Sequence, residues 1–119
     1  MDFKSVLNEV VQSVEGTIGI GLVGLDGIAI EQISVKDDFD ITTVGAEYSS
    51  IIRSAQKASR DFGLGKTLEI LITTEKATMI MMTVGDQYFL ALAVTLEGNL
   101  GRGRLEMKKT IPKLAGELG

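Results

Sequence analysis

The sequence predicts an α/β (α+β) fold: a three-layer α/β/α sandwich around a five-stranded antiparallel sheet, with element order α-β-β-α-β-β-β-α. Three segments repeat apolar residues at helical spacing, and five shorter segments have the composition of strands. Short polar connections make neighbouring strands antiparallel hairpins. Segments 77–84 and 87–95 are apolar on both faces, so helices are expected on both sides of the sheet. The 119 residues are expected to form one domain, 1–119.

The first two helices are predicted at residues 2–15 and 41–62. Asp2 is a candidate N-cap of the first helix, and Gly16 follows that helix as a stop signal. Asp40 is the corresponding cap of the second helix. The predicted apolar stripe of the second helix consists of Ile41, Val44, Tyr48, Ile51, Ile52, Ala55, Ala58 and Phe62.

The last helix follows a loop at residues 96–101, in which Asn99 is a candidate N-cap. Pro112 lies within the apolar pattern of this helix, and proline lacks the amide hydrogen that an interior helical residue donates. A kink or a split is therefore expected near Thr110.

Residues 17–24 and 28–35 are predicted to form the first hairpin, because Asp26-Gly27 between two apolar runs is a strong turn signal. The apolar pattern of the second strand is expected to continue through Ile28, Ile30 and Ile33. One face of the first strand is predicted to carry Ile18, Ile20 and Leu22, and the other Thr17, Gly19, Gly21 and Val23.

Residues 67–74, 77–84 and 87–95 are predicted to form a three-strand meander. The first of these strands is the weakest, because Glu69 and three threonines interrupt its apolar pattern. We therefore expect it at an edge of the sheet.

Composition excludes several classes of function. The chain has no cysteine and no histidine, which removes thiol nucleophiles, thiolate metal sites and the usual general base at neutral pH. Its net charge of −4 and its few aromatic residues are unlike those of nucleic-acid-binding proteins. No apolar run is long enough to span a membrane, and the N-terminal segment lacks the apolar core of a signal peptide. We expect a cytoplasmic, non-enzymatic protein without cofactor or metal.

Gly19, Gly21 and Gly24 match the G-x-G-x-x-G pattern of dinucleotide-binding turns. That function requires a strand before the glycines and a helix that opens directly from them. Here the glycines lie inside a predicted strand, and Asp26-Gly27 leads into a second strand. We therefore interpret Gly19 and Gly21 as a thin strand face that lets a helix approach closely.

Two further glycine-containing segments resemble anion-binding motifs. GLGKT at 63–67 resembles the end of a P-loop, but Arg60 occupies the position of its first glycine and the segment precedes a strand. GNLGRGR at 98–104 places Arg102 and Arg104 near a helix N-terminus. Either the two arginines bind an anion or they are solvated charges on a loop-to-helix junction.

The whole pattern resembles the Roadblock/LC7 family, in its bacterial gliding-protein B (MglB-like) type. The resemblance rests on GIGLVGLDGIAI at 19–30, on the small-residue-rich helix 41–62, on the meander, and on LGRGRLEMKK at 100–109. It implies a homodimer in which edge strand 67–74 pairs with its twofold mate while the long helices lie side by side. The implied interface residues are Ala46, Ser49, Ser59, Leu68, Glu69, Ile70, Leu71 and Ile72.

The resemblance also implies a role as a platform that binds a small Ras-like GTPase and modulates its GTP hydrolysis or nucleotide exchange. The implied contact surface is the exposed face of helix 41–62. Arg53 or Arg60 would be an arginine finger there, or else an ordinary solvated helix charge. The candidate contact residues are Glu47, Ser50, Arg53, Ser54, Lys57 and Arg60.

Three alternatives stay open at the level of the sequence. A light-chain-type scaffold for a motor or signalling complex would share the same fold. A small-ligand sensor would line a pocket with Met79, Met81 and Tyr88. An enzyme using carboxylates or Lys66 is disfavoured, because histidine and cysteine are absent.

Overall fold

A computed structural model describes residues 2–118, and in these residues it has the eight predicted elements in the predicted order. The elements are α1 Phe3–Ser13, β1 Thr17–Gly24, β2 Ala29–Ser34, α2 Ile41–Asp61, β3 Glu69–Thr73, β4 Ala77–Val84, β5 Tyr88–Thr95 and α3 Leu100–Leu118. The strands form one sheet in the order β2-β1-β5-β4-β3, and every neighbouring pair is antiparallel. The predicted sheet and the edge position of β3 are therefore confirmed.

Helices cover both faces of the sheet, as the apolar central strands require. Side chains of β1, β4 and β5 alternate between two cores, one under α1 and α3 and the other under α2. The core under α1 and α3 takes Ile20, Leu22, Ile80, Met82, Val84, Leu90, Leu92 and Val94 from the sheet. The core under α2 takes Ile18, Val23, Met79, Met81, Phe89, Ala91 and Ala93.

The glycines of β1 allow α2 to pack closely on the sheet. A Cβ atom on Gly21 would lie 3.2 Å from Cγ1 of Ile41, the first residue of α2. Gly19 lies under the loop that precedes α2 in the same way. From the helix side, a Cβ on Gly45 would lie 2.9 Å from Cγ2 of Val23. These contacts match the interpretation of the glycines as a packing surface, because β2 and not a helix follows them.

The buried face of α2 differs from the predicted apolar stripe. Ile51 and Phe62 are 42% and 80% exposed, whereas Gly45, Ser49 and Gln56 are buried. The predicted stripe was wrong at these positions because apolar residues occupy a wider part of the helix circumference than the part that packs on the sheet. Close approach to the sheet favours small residues on the contact line, and hydrogen bonds satisfy the polar Gln56.

Ile18 also lies on the face opposite to the predicted one. The register of β1 against β5 shifts between Thr17 and Gly19. Such an irregularity breaks the simple alternation of a strand, so Ile18 joins the core under α2 while Ile20 joins the other core.

β2 is an edge strand with a bulge. Its register against β1 shifts after Leu22, and Ile30 is the extra residue. Ile28 and Ile30 are 65% and 41% exposed, so the predicted continuation of the buried apolar pattern is wrong for both. Ile33 alone of the three packs against the core under α1 and α3.

α3 is one helix from Leu100 to Leu118, so of the kink or split predicted near Thr110 the split is wrong. Asn99 caps this helix, since its Oδ1 accepts a hydrogen bond from the amide three residues later at 3.0 Å. Pro112 is exposed, and so is Lys108, whose carbonyl loses its usual helical donor there. Water can satisfy that carbonyl, so the helix tolerates the proline.

Asp40 is the N-cap of α2. Its Oδ1 accepts hydrogen bonds from the amides of Thr42 at 3.0 Å and Thr43 at 3.3 Å, and its Oδ2 accepts one from the Thr43 hydroxyl. The hydrogen bonds from Thr43 are the main reason that the pKa of Asp40 is lowered. Asp40→Ala is expected to lower Tm by about 4 °C in a thermal melt, because it leaves helix amides unsatisfied. Asp38→Ala, which removes a nearby loop carboxylate, is the control; an equal loss in both variants would contradict the capping role.

Candidate interaction surface

The exposed face of α2 carries all six predicted GTPase-contact residues. They recur every three or four positions along the helix, so they form one stripe directed away from the sheet. Ser50 donates to the carbonyl of Glu47 at 3.0 Å, and Lys57 pairs with Asp61 at 2.7 Å. The exposed residues are Glu47, Ser50, Arg53, Ser54, Lys57 and Arg60.

Arg53 joins α2 to the turn between β1 and β2. Its Nη1 donates to the backbone carbonyl of Leu25 and to Ser49 Oγ. A guanidinium has five N–H donors, so these two bonds orient the group without using all of its donors. Arg53 is therefore held in a defined position at the protein surface.

A shallow cleft lies beside Arg53 at the C-terminal half of α2. We call it the basic cleft and define it by Leu25, Arg53, Gln56, Arg60, Lys66 and Asp86. Lys66 Nζ lies 2.6 Å from Asp86 Oδ1, and this hydrogen-bonded ion pair lowers the pKa of Asp86. Lys66 thus forms a surface ion pair in the cleft.

Gln56 of α2 forms hydrogen bonds with the backbone of Thr67, in the segment that leads into β3. Its Oε1 accepts from the Thr67 amide at 3.0 Å, and its Nε2 donates to the Thr67 carbonyl at 3.4 Å. Thr67 also bonds Ser59 through the two hydroxyls at 2.8 Å, and its carbonyl accepts from the Thr83 hydroxyl at 3.2 Å. This role of Gln56 was not predicted from the sequence, where the one signal for it is a polar residue four positions after Ile52.

The predicted interface residues 68–72 lie on β3 and just before it, at a free edge of the sheet. Leu68 and Leu71 are 69% and 44% exposed. Ile70 and Ile72 are half-buried and pack against the core that includes Ile52 of α2. Glu69 is also half-buried, and it forms a two-point ion pair with α3 that is described below.

The predicted small residues of α2 contact their own chain. Ser49 is 2% exposed and donates to the Ala46 carbonyl at 2.7 Å. A Cβ on Gly27 would lie 3.6 Å from Ser49 Oγ and 3.8 Å from Ala46 Cα. The small size of Ala46 and Ser49 therefore accommodates the β1–β2 turn, and Ser59 is bonded to Thr67. Of the three, Ala46 is exposed.

Arg104 of α3 binds Glu69 of β3. Arg104 Nε lies 2.7 Å from Glu69 Oε2, and Nη2 lies 2.9 Å from Oε1, which is the bidentate geometry of a strong arginine–carboxylate pair. This hydrogen bonding lowers the pKa of Glu69. Arg102 lies 3.8 Å from Glu106. Both arginines of the 98–104 segment therefore face carboxylates of this chain, while their side chains stay 48% and 44% exposed.

Glu69→Gln is expected to lower Tm by about 3 °C at neutral pH, since the pair is partly exposed and screened by solvent. Because the folded pKa of Glu69 is lowered, its contribution is complete above the ordinary pKa of 4.5 and is lost as pH falls through the lower folded value. Thermal melts of both proteins from neutral to acid pH should therefore converge. A difference that persists at the acid end would contradict an ionic origin.

The pocket proposed for a small-ligand sensor does not form from its three predicted residues. Met79 and Met81 are 5% and 1% exposed and belong to the core under α2. Tyr88 packs against the core on the opposite face of the sheet. Within residues 2–118, no group of three or more carboxylates is arranged to hold a metal ion. No helix in this range is both long and apolar enough to cross a membrane.

Residues 4–94 match the Roadblock/LC7 domain family. An uncharacterized protein of Methanocaldococcus jannaschii is 28% identical over 100 residues, which are 84% of this chain and 83% of that protein. The family match at residues 4–94 includes both predicted interface elements, α2 and β3.

Solved structures share the fold over nearly the whole chain. A Roadblock/LC7 domain from Streptomyces avermitilis superposes with a TM-score of 0.88 at 19% identity, covering 99% of this chain and 98% of that one. MglC from Myxococcus xanthus is 32% identical with a TM-score of 0.70, covering 98% and 99%. An MglB in a tetrameric arrangement has a TM-score of 0.85 at 18% identity, covering 94% and 84%. The predicted resemblance is confirmed, and the identity to this MglC exceeds that to this MglB.

Proposed function

We propose that this chain, which belongs to the Roadblock/LC7 domain family, forms a homodimer and binds a small Ras-like GTPase. The dimer would modulate GTP hydrolysis or nucleotide exchange in that partner. Similarity to MglB and MglC is consistent with a regulatory role linked to small GTPases. The observation that carries the proposal is the free β3 edge in a chain whose α2 also presents an exposed, charged face.

The difference between the two sheet edges supports β3 as the dimer contact. β2 carries a bulge at Ile30, and bulges at an edge hinder pairing with another strand. β3 pairs with β4 in regular register from Glu69 to Thr73. A regular edge strand with exposed leucines is a template for pairing with another strand. A second copy of β3 supplies one through a single self-complementary patch.

Backbone hydrogen bonds define which groups of β3 are available. The Thr83 amide donates to the Leu68 carbonyl, and the Thr74 amide donates to the Ala77 carbonyl. Because bonding alternates along an antiparallel strand, Ile70 and Ile72 bond to β4, and the amide and carbonyl of Leu71 point outward. We propose that Leu71 faces its own copy across the twofold axis.

The dimer is tested with Leu71→Pro, which removes an outward amide while leaving the β3–β4 bonds in place. We expect native mass spectrometry to change from dimer to monomer and circular dichroism to keep the folded signal. Leu71→Lys keeps the amide, and its two like charges across the axis should also weaken the dimer. A folded Leu71→Pro variant that remains dimeric would disprove the β3 interface.

GTPase binding is tested with the wild-type dimer and purified small Ras-like GTPases of the same organism. Each GTPase is loaded with GDP or with a non-hydrolysable GTP analogue, and its affinity is measured by calorimetry. We expect binding to one GTPase with a preference for one nucleotide state, because a regulator must distinguish those states. Absence of binding to all of them in both states would refute the proposed role.

A further inference from the structure

We propose that the basic cleft is the docking site for an extended acidic segment of the protein partner. The inference rests on the proposed function, since the partner meant here is the small GTPase. It adds the chemistry of recognition: two carboxylates of the partner segment bind Arg53 and Arg60. Lys66 supplies a third cation at the same site.

The cleft carries positive charge on an acidic protein. Arg53, Arg60 and Lys66 line it, and Asp86 is the one carboxylate among its lining residues. The chain as a whole has a net charge of −4, so the positive charge of the cleft is opposite in sign to the net charge of the protein. Local cation clusters of this kind attract and orient acidic partners and raise their association rate.

The spacing of the two arginines favours an extended ligand. Arg60 lies seven positions after Arg53 on α2, which is about two helical turns or about 10.5 Å. In a polyproline II segment, residues i and i+3 lie on the same side about 9.3 Å apart. Carboxylates three residues apart therefore have nearly the same spacing as the backbone positions of the two arginines.

The cations are arranged to accept new partners. The bonds of Arg53 to Leu25 and Ser49 hold its guanidinium in place, so less side-chain entropy is lost when a carboxylate binds. The side chains of Lys66 and Asp86 are 66% and 75% exposed, and an ion pair so open to water is weak. A partner carboxylate can replace Asp86 at small cost.

The same geometry disfavours a phosphate as the natural ligand. Phosphate sites commonly use backbone amides at a helix N-terminus. The basic cleft lies along the C-terminal half of α2, where the free backbone groups are carbonyls and the helix dipole is negative. The planar guanidinium groups and Lys66 are thus the donors, and guanidinium matches carboxylate geometry in a two-point contact.

Two substitutions with opposite expected effects test the site. Arg60→Gln should weaken binding of the GTPase about fivefold, and Asp86→Asn should strengthen it about threefold by removing the competing carboxylate. Both effects should shrink when salt is raised, because exposed charges are screened. Lys113→Gln removes an equal charge from α3 on the other side of the sheet and should leave the affinity unchanged. Equal effects in all three variants would overturn the inference.

A second probe separates this inference from the proposed function. It is a blocked peptide with two glutamates three residues apart, compared with its glutamine version by NMR of the Arg53 and Arg60 Nε–H signals. We expect shifts with the glutamate peptide alone. GTPase binding that ignores every charge variant would overturn the cleft and leave the proposed function standing. Peptide shifts without any GTPase binding would overturn the proposed function and support the cleft. Equal shifts with inorganic phosphate, and none with the peptide, would replace the acidic segment by a phosphate ligand.

Discussion

Replacing Phe89 by alanine is expected to lower the free energy of unfolding by about 4 kcal/mol. Phe89 lies on central strand β5 between Val23 of β1 and Thr83 of β4, and it is completely buried. It is the largest fully buried side chain among the described residues. Its removal costs both the transfer of apolar surface and the cavity that is left.

The surroundings of Phe89 explain why the cavity should stay open. The sheet face under α2 includes small residues near Phe89, namely Gly21, Ala91 and Ala93, beside the larger Val23 and Met81. Glycine and alanine cannot reach into a phenyl-sized space, so the larger neighbours can refill only part of it. The loss is therefore expected near the middle of the range for such truncations.

Chemical denaturation of Phe89→Ala measures this effect, and Phe62→Ala is its matched control. Phe62 follows α2 and is 80% exposed, so its truncation is expected to change stability by less than about 0.5 kcal/mol. Similar losses in the two variants would show that burial under α2 does not determine the cost.

Gly16→Ala is expected to destabilise the protein by about 3 kcal/mol, from a strained backbone and a steric collision together. Gly16 has a φ of +89°, in the left-handed region. A Cβ there would lie 2.6 Å from the Cα of Gly98 and 2.7 Å from Thr95 Oγ1. The first of these neighbours is backbone, and the Thr95 amide bonds to the Gly16 carbonyl at 2.9 Å, so neither segment can move freely.

Gly63→Ala separates the two contributions to this loss. Gly63 has a φ of +70°, but nothing lies within 4 Å of the position of its Cβ. The variant should therefore lose only the conformational part, about 1 kcal/mol. Urea denaturation of both variants gives the comparison, and a Gly63→Ala loss as large as that of Gly16→Ala would exclude the collision as a cause.

The elements of the fold were predictable because each depends on local patterns. The hairpin at Asp26-Gly27, the caps Asp2, Asp40 and Asn99, and the double-sided apolar strands all act within a few residues of chain. The errors arose where contacts between segments distant in sequence determine which side chains are buried. Ile18 changed face through a register shift against β5, and α2 turned Gly45 and Gln56 inward.

The candidate site was predictable as a helix face but not as a cleft. Helical spacing alone placed Arg53 and Arg60 on the exposed side of α2. Lys66 and Asp86 join them only because the sheet brings the loop after α2 next to the turn between β4 and β5. Sequence separation of this size leaves no periodic signal, so the grouping of these charges could not be inferred from the chain.

The sequence by itself determined the order of elements, the antiparallel sheet, its two covered faces and the weak edge at β3. These properties follow from hydrophobic periodicity and turn chemistry, which act between near neighbours along the chain. The tertiary structure alone decided the bulge at Ile30, the inward face of α2, the Arg104–Glu69 pair and the basic cleft. Each of these depends on which distant residues meet, and that is set by the packing of helices on the sheet.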